Sequence, residues 1–208
     1  IGGGCRTEEL TLPGFRHDVC SAIHPTGLLS PAFREIGLSD AGLEWVHPEV
    51  PLAHPLPDGD AAVLHASLEQ TAAGLGSDRA AWKGMFGPFL KCGSGFFEEI
   101  FQPMLHVPRH PMTMARFGLL ALRSCEAVVN SWFEEERARA LFTGCAAHSI
   151  LPLNQAGTAA FGVILALSAH AVGWPCAKGG SGSIISALEK RFRELGGEIE
   201  TGRPVRAL

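Results

Sequence analysis

Gly173-Trp174-Pro175-Cys176-Ala177-Lys178-Gly179-Gly180-Ser181-Gly182-Ser183 is the stretch on which the fold turns. Gly-Trp-Pro closes a helical block, because proline cannot donate a backbone hydrogen bond and its ring crowds the preceding turn. The Gly/Ser run at 179–183 reads as a loop feeding an amphipathic helix over 184–195. Gly196-Gly197 stops that helix, and 198–201 reads as a strand. A Gly/Ser joint before a helix is either a plain connection or a cradle whose free amides hold an anion. Both readings stand at this point.

Working outward, the block before this stretch is helical in texture. Residues 159–172 form its most apolar run, about 14 residues against the roughly 20 needed to cross a bilayer, so a buried core helix over 158–172 is expected. If that run were exposed, it would suit a greasy substrate or a membrane surface. Helical patterning also covers 112–122 and 134–147, with breaks at Pro108, Pro111 and Pro152. Trp82, Phe86, Phe89, Leu90 and Phe97 fall at helical spacings that share a face. Such a stripe builds a core or lines a substrate tunnel. Ser67 with Gln70 three residues on fits a capping box. Before residue 67 the signals are short strands. Residues 10–12 and 15–19 flank a Pro13-Gly14 turn, a hairpin pattern, and the runs 43–47 and 61–65 are bounded by Gly, Pro and Asp. Ser30-Pro31 reads as an N-cap with proline at the first helical position, opening a helix that Gly37 ends. The order is mixed, helical, mixed. It is the order expected when a helical domain is inserted into an α/β domain whose flanks meet in space, with 1–66 and 173–208 as the flanks and 67–172 as the insertion.

Composition narrows the classes. The chain has 208 residues, 46% hydrophobic and 18% charged, with a formal net charge of -4. A low-hydrophobicity disordered chain is excluded, and no general attraction for phosphate backbones exists, so nucleic acid is not an expected partner. Six widely spaced cysteines form no Cys-x-x-Cys pair. They read as free thiols in a reducing, cytoplasmic setting. The opening at Ile1 and the tail 202–208, which reads as an unfinished strand, are those expected of a piece of a longer protein.

Several motifs are missing. There is no Gly-x-Gly-x-x-Gly, no Walker A and no Gly-x-Ser-x-Gly elbow, so a serine hydrolase is disfavoured. His106 and His110 have zinc-helix spacing, but Pro108 between them breaks the helix that would align them. Cys145 and His148 lack a further ligand nearby. No metal site is expected.

Residues 1–7, Ile-Gly-Gly-Gly-Cys-Arg-Thr, followed by Leu12-Pro13-Gly14-Phe15-Arg16-His17-Asp18, resemble the second flavin-contacting segment of the phytoene dehydrogenase and amine oxidase superfamily. There a Gly-Gly turn follows the strand-borne glutamate that holds the adenosine ribose. Gly2 and Gly3 match that pair. Gly4 stands where the wider superfamily often has arginine, with Arg6 two places on, and Thr7 matches a frequent threonine. His17-Asp18-Val19-Cys20 resembles the family's Phe-Asp-x-Gly strand, with Cys20 in place of glycine. Trp174-Pro175, Gly179-Gly180, Ala187-Leu188, Gly196-Gly197-Glu198-Ile199 and Val205 resemble the return into the flavin domain.

The resemblance covers most of the chain, best at both ends. It implies an α/β fold, α+β within this piece: part of an FAD-binding Rossmann-like domain with an inserted, mainly helical substrate domain. It implies FAD as cofactor, with Gly2, Gly3, Gly4, Arg6, Thr7 and Val205 as cofactor-binding residues. The nucleotide fingerprint and the last flavin segment would lie outside residues 1–208. The implied activity is a dehydrogenase or desaturase passing hydride from an apolar, carotenoid- or lipid-like substrate to flavin. No catalytic side chain is assigned. Trp82, Phe86, Phe97, Phe101, Phe117, Phe133 and Phe161 are the expected apolar surfaces of the substrate domain, and peripheral membrane association is an option beside cytoplasmic placement. The alternatives are a flavin-dependent polyene isomerase or saturase, and a non-redox helical lipid-binding or interaction module.

Overall fold

The structure is a computed structural model describing residues 1–103 and 105–205. In chain order the elements are β1 (Thr7–Glu9), β2 (Arg16–Asp18), α1 (Pro25–Leu29), α2 (Pro31–Ile36), β3 (Trp45–Val46), β4 (Leu52–Pro55), β5 (Ala61–Leu64), α3 (Leu68–Ala73), α4 (Arg79–Lys91), α5 (Ser94–Ile100), α6 (Pro111–Ala121), α7 (Cys125–Trp132), α8 (Glu136–Ala146), α9 (Thr158–Val172), β6 (Cys176–Ala177) and α10 (Gly182–Glu194). The fold is α+β. Its described strands form three antiparallel pairs, β1 with β2, β3 with β6 and β4 with β5.

Two compact units divide the chain. The first combines Ile1–His24, Ala32–Val46 and the chain from Pro175 onward; the second combines Pro25–Pro31 with His47–Trp174. The flanks of the chain thus share one unit, and a mainly helical segment of 128 residues or so separates them. The division falls after Val46 and after Trp174, whereas the sequence places it after residues 66 and 172. The physical reason is β4 and β5: Leu64 is fully buried among helical-unit side chains and Leu52 packs against the same core, which draws residues 47–66 away from the first flank.

In the helical unit, local signals decide the helix ends. The Ser67 hydroxyl accepts from Gln70 N and opens α3, and Ser124 does the same for Ala127 N at the start of α7. The buried carboxylate of Asp78 accepts from Glu134 N and Glu135 N ahead of α8. The aromatic stripe does not lie on one helix. Gly93, at φ 62°, adopts a left-handed conformation open to glycine, and it separates α4 from α5, so Phe97 belongs to the second helix. Within α4, Pro88 has no N–H for the Gly84 carbonyl four residues earlier. Arg116 Nη2 from α6 donates to that carbonyl at 2.7 Å and restores its hydrogen bond.

The core of this unit is aromatic and dense. Trp82, Phe86, Phe89, Phe96, Phe133 and Phe142 are buried, with ring centroids 4.6 Å apart for Trp82 and Phe86 and 5.6 Å for Trp82 and Phe133. Helix α9 buries Ala159, Val163, Ala166 and Leu167 in it, as the apolar run 159–172 requires. Among the described residues no helix is long and apolar enough to cross a membrane.

The first unit has a small apolar cluster of Leu38, Ala41, Leu43, Ala177, Ile184 and Ala187. Residues 198–201 are not a strand. Their amides find no backbone partner among the described residues, and a lone extended segment has no ladder to join. Val205 lies outside any strand and is 79% exposed; residues 206–208 of the expected terminal strand lie outside the described residues.

Candidate functional site

The site grows from the opening turn. Cys5 N donates to the Gly2 carbonyl at 3.0 Å, closing a tight turn through Gly3 at φ 56°. The chain then enters β1, whose register sets Thr7 opposite Asp18 on β2. Thr7 Oγ1 donates to Asp18 Oδ1 at 2.6 Å and accepts from Gly182 N at 2.9 Å. Ser181 N donates to Asp18 Oδ1 at 2.7 Å. Residues about 175 positions apart in sequence are therefore joined at the N-terminus of α10. A Cβ at Gly180 would lie 2.4 Å from Thr7 Oγ1 and 2.8 Å from Asp18 Oδ1. Only glycine fits there.

This junction decides between the two readings of the 179–183 loop. The amides of Gly180, Ser181, Gly182, Ser183 and Ile184 donate to Ala177 O, Asp18, Thr7, Gly180 O and Ser181 O. Asp18 is itself the anion at the positive end of the helix. The loop is a connection, with its amides already engaged. Burial works to raise the Asp18 pKa, but the hydrogen bonds from Thr7 and Ser181 and the facing His24 outweigh it and hold the carboxyl below its usual range.

Ser181 resembles a nucleophile only on paper. Its hydroxyl donates to the Ser21 carbonyl and accepts from His24 Nε2 at 2.9 Å, and the residue is fully buried. Burial also pushes the His24 pKa down, against the pull of Asp18 and the Ser21 carbonyl. Cys5 Sγ contacts the Ser181 carbonyl at 3.3 Å, and burial followed by the charge of Asp18 pushes its thiol pKa up. A raised thiol is a poor nucleophile.

Beside the junction lies a groove of about 490 Å³. Arg6, Thr7 and Arg16 line one side and Gly182, Ser183, Ser186 and Glu189 the other. Arg6 pairs with Glu8 at 3.0 Å and reaches the Gly3 carbonyl at 3.3 Å. Glu189 is held by a fork of two bonds from Arg193, at 2.9 and 2.8 Å. Two guanidiniums on one cleft suit phosphate oxygens, while the Ser183 and Ser186 hydroxyls donate to the Lys178 and Gly182 carbonyls, at 2.8 and 3.1 Å.

The expected cofactor residues fare unequally. Arg6 and Thr7 line the groove. A Cβ at Gly3 would meet nothing within 4 Å, which leaves its backbone open to close approach, while Gly2 is restricted by Ile185 of α10, 2.7 Å from where its Cβ would be, and Gly4 faces Cys20. Val205 joins none of this in the hydrogen bonds observed. Sequence reasoning missed Arg16, Ser183 and Ser186. The two serines lie three residues apart on α10, a helical spacing that puts them on one side, but Arg16 joins them only through the hairpin register.

Elsewhere, His106 and His110 do not act as a pair. Glu99 is buried and accepts from His106 Nε2 at 2.6 Å, Arg109 N at 2.5 Å and His110 N at 3.1 Å. The Cys145 thiol is pushed up to about 12 by burial and by Cys125. No group of three metal-ligating side chains gathers among the described residues. The six cysteines are free. Trp82, Phe86, Phe97 and Phe133 fill the helical core, Phe117 packs edge-on to Phe96 at 5.4 Å, and Phe101 and Phe161 reach the surface.

Set beside known proteins, the chain matches no family model and no curated sequence. The likeness described above therefore stands on its motif residues alone.

Proposed function

We propose that this chain is part of an FAD-dependent oxidoreductase that takes hydride from an apolar, carotenoid- or lipid-like substrate. One observation supports the reading: the Gly2–Thr7 segment, assigned by resemblance to the nucleotide, and the Gly179–Ser183 segment, at the resembling return into the flavin domain, meet at one groove lined by Arg6 and Arg16, although Val205 does not line it. In this reading the Rossmann-like domain is completed by chain outside residues 1–208, and FAD supplies the hydride acceptor when bound.

The chain's own residues then have distinct tasks. Arg6 and Arg16 hold phosphate oxygens, Arg6 exchanging Glu8 for the ligand. Ser183 and Ser186 turn their hydroxyl protons from the Lys178 and Gly182 carbonyls to the ligand. The open side of Gly3 lets the backbone come close. Thr7 and Asp18 position the groove by tying β1, β2 and α10 together and make no claim on the nucleotide. Arg193 pairs with Glu189, which lines the same groove, and offsets its charge.

The test uses the full-length gene product. Purified protein is expected to carry an oxidised-flavin absorbance, and Arg6→Ala with Arg16→Ala is expected to weaken FAD binding by about tenfold or more, since each charge-assisted contact is worth about 1.5–3 kcal/mol. A full-length product that neither retains FAD nor takes it up from solution overturns the proposal and leaves the non-redox module.

A further inference from the structure

Glu99 is the last residue but one of α5, and its side chain is only 3% exposed. An unpaired carboxylate in that position would be costly. Three hydrogen bonds answer it. Oε1 accepts from Arg109 N at 2.5 Å and from His110 N at 3.1 Å, and Oε2 meets His106 Nε2 at 2.6 Å. All three partners lie on the stretch of chain that leads from α5 to α6, so one side chain gathers that stretch onto the helix.

The other nitrogen of His106 decides what the contact needs. Nδ1 lies 2.7 Å from the Pro103 carbonyl, which can only accept, so Nδ1 carries a proton. A second proton must lie between Nε2 and Oε2, because two lone pairs facing each other at that distance repel. It resides on the ring, since an imidazole is a stronger base than a carboxylate. The two groups reinforce this. The bond to Glu99 and then the Pro103 carbonyl push the His106 pKa up, and the bond from His106 holds the Glu99 carboxyl below its usual range. A ring that loses the second proton donates through one nitrogen only. Either the Pro103 carbonyl or Glu99 Oε2 then faces a lone pair.

The surrounding charged and titratable groups are these. Glu98 precedes Glu99 on α5. Arg109 and His110 contribute their amides, and the His110 ring lies against α5, with Nε2 2.6 Å from where a Cβ on Gly95 would be. Cys92, which follows Lys91 at the end of α4, brings Sγ within 3.3 Å of the same point. Arg116 of α6 is engaged with the Gly84 carbonyl. His110 thus places a second imidazole close to the first.

We propose that Glu99 and His106 form a pH-operated latch, which holds residues 105–110 on α5 while the proton between them is present and releases them when His106 gives it up. The sign follows from the two shifts. The contribution of His106 is whole below its ordinary value of 6.5 and is lost as pH rises through its raised value; that of Glu99 is whole above 4.5 and is lost as pH falls through its lowered value. The latch is therefore closed from 4.5 to 6.5 and opens on the alkaline side.

Hydrogen–deuterium exchange of the full-length protein tests this whether or not flavin is bound. It is read on peptides spanning 105–112, with rates corrected for the intrinsic pH dependence of exchange. Protection is expected to hold at about pH 6 and to fall by about tenfold or more by about pH 9, with α9 peptides unchanged. In His106→Gln, whose amide does not titrate, protection should be low at both pH values. His110→Gln keeps its backbone N–H on Glu99 and should show the wild-type fall. Ring signals followed by NMR should place the His106 titration above its ordinary value, and Glu99→Gln should lower it. The latch is overturned by equal protection at both pH values in the wild type, by a fall that α9 shares, by a fall of the same size in His106→Gln, or by a fall that His110→Gln abolishes.

Discussion

In the helical unit, 27 apolar side chains are buried in one cluster among the described residues, six of the largest of them aromatic; in the other unit the corresponding cluster has six, and none is aromatic. What the smaller unit lacks in apolar burial it meets with polar junctions: Thr7, Asp18, Ser181 and Gly182 at one end of α10, and Arg191 Nε on the Ile36 carbonyl, 3.2 Å, nearer the other. The two regions should therefore fail differently. Packing defects should dominate in the first, and single hydrogen bonds should matter more in the second.

The sharpest way to break this contrast is Trp82→Ala. Trp82 is fully buried against Phe86 and Phe133, and its indole N–H donates to His170 Nε2 at 3.0 Å. Truncation leaves a large cavity and a buried acceptor without a donor. The expected loss is about 4 kcal/mol, read as a shifted urea midpoint by far-UV circular dichroism. A loss near that of a surface substitution would show that the helical unit is not governed by packing.

The same tryptophan points to a pH dependence. Burial lowers the His170 pKa from 6.5 to about 4, although the carbonyls of Ala66 and His65 pull the other way. Its neutral ring accepts from Trp82 and approaches the Ala66 carbonyl through Nδ1 at 3.3 Å. Because the folded pKa lies below the unfolded one, the unfolded chain gains the proton first as acid is added. The stabilisation from His170 is whole above pH 6.5 and is lost as pH falls toward 4, a change on the order of 3 kcal/mol. Urea titrations across that window should be steep in the wild type and flatter in His170→Gln. Equal slopes would remove His170 as the cause.

For the smaller unit the corresponding probe is Asp18→Ala. It deprives Ser181 N and Thr7 Oγ1 of their acceptor, and the junction is only partly buried, so about 1–2 kcal/mol is expected. Amide exchange at Ser181 should quicken, and Thr7→Val should quicken it at Gly182. Unchanged exchange at both would mean that the small apolar cluster, and not the junction, holds α10 in place.

How much of this was legible in the sequence depends on range. Ser67, Ser30-Pro31 and the end of α9 at Gly173 act over a few residues, and the structure puts them where the sequence does; the hairpin around Pro13-Gly14 forms, but its first strand is Thr7–Glu9, and residues 10–12, read as that strand, belong to the connection. The pairing of Trp45 with Ala177 and of Thr7 with Gly182 depends on chain closure over more than a hundred residues, which no local pattern encodes. Strand β4 was missed because Leu52-Ala-His-Pro carries a terminal proline, a weak strand signal. Residues 198–201 fail in the opposite sense: a β-like pattern with no partner strand. At the candidate site, Arg6 and Thr7 were readable from their motif. Arg16 was not, because only the hairpin register brings it to the groove.

The smallest expected effect refines the contrast from the helical unit's surface. Ile150 ends a 3-10 turn at φ 57° and ψ 19°, the left-handed region, and its side chain is 92% exposed. A β-branched residue pays most in that conformation, since its Cβ substituents crowd the neighbouring carbonyl, and it gains nothing here from burial. Asparagine adopts the same backbone at lower cost. Ile150→Asn should therefore stabilise the protein by about 1 kcal/mol, a rise of a few degrees in Tm. Ranked against Trp82→Ala, this gain separates backbone strain from packing within one unit. A loss of stability in its place would mean that the exposed isoleucine is held against an apolar surface in the folded protein, because only a covered side chain would repay the strain.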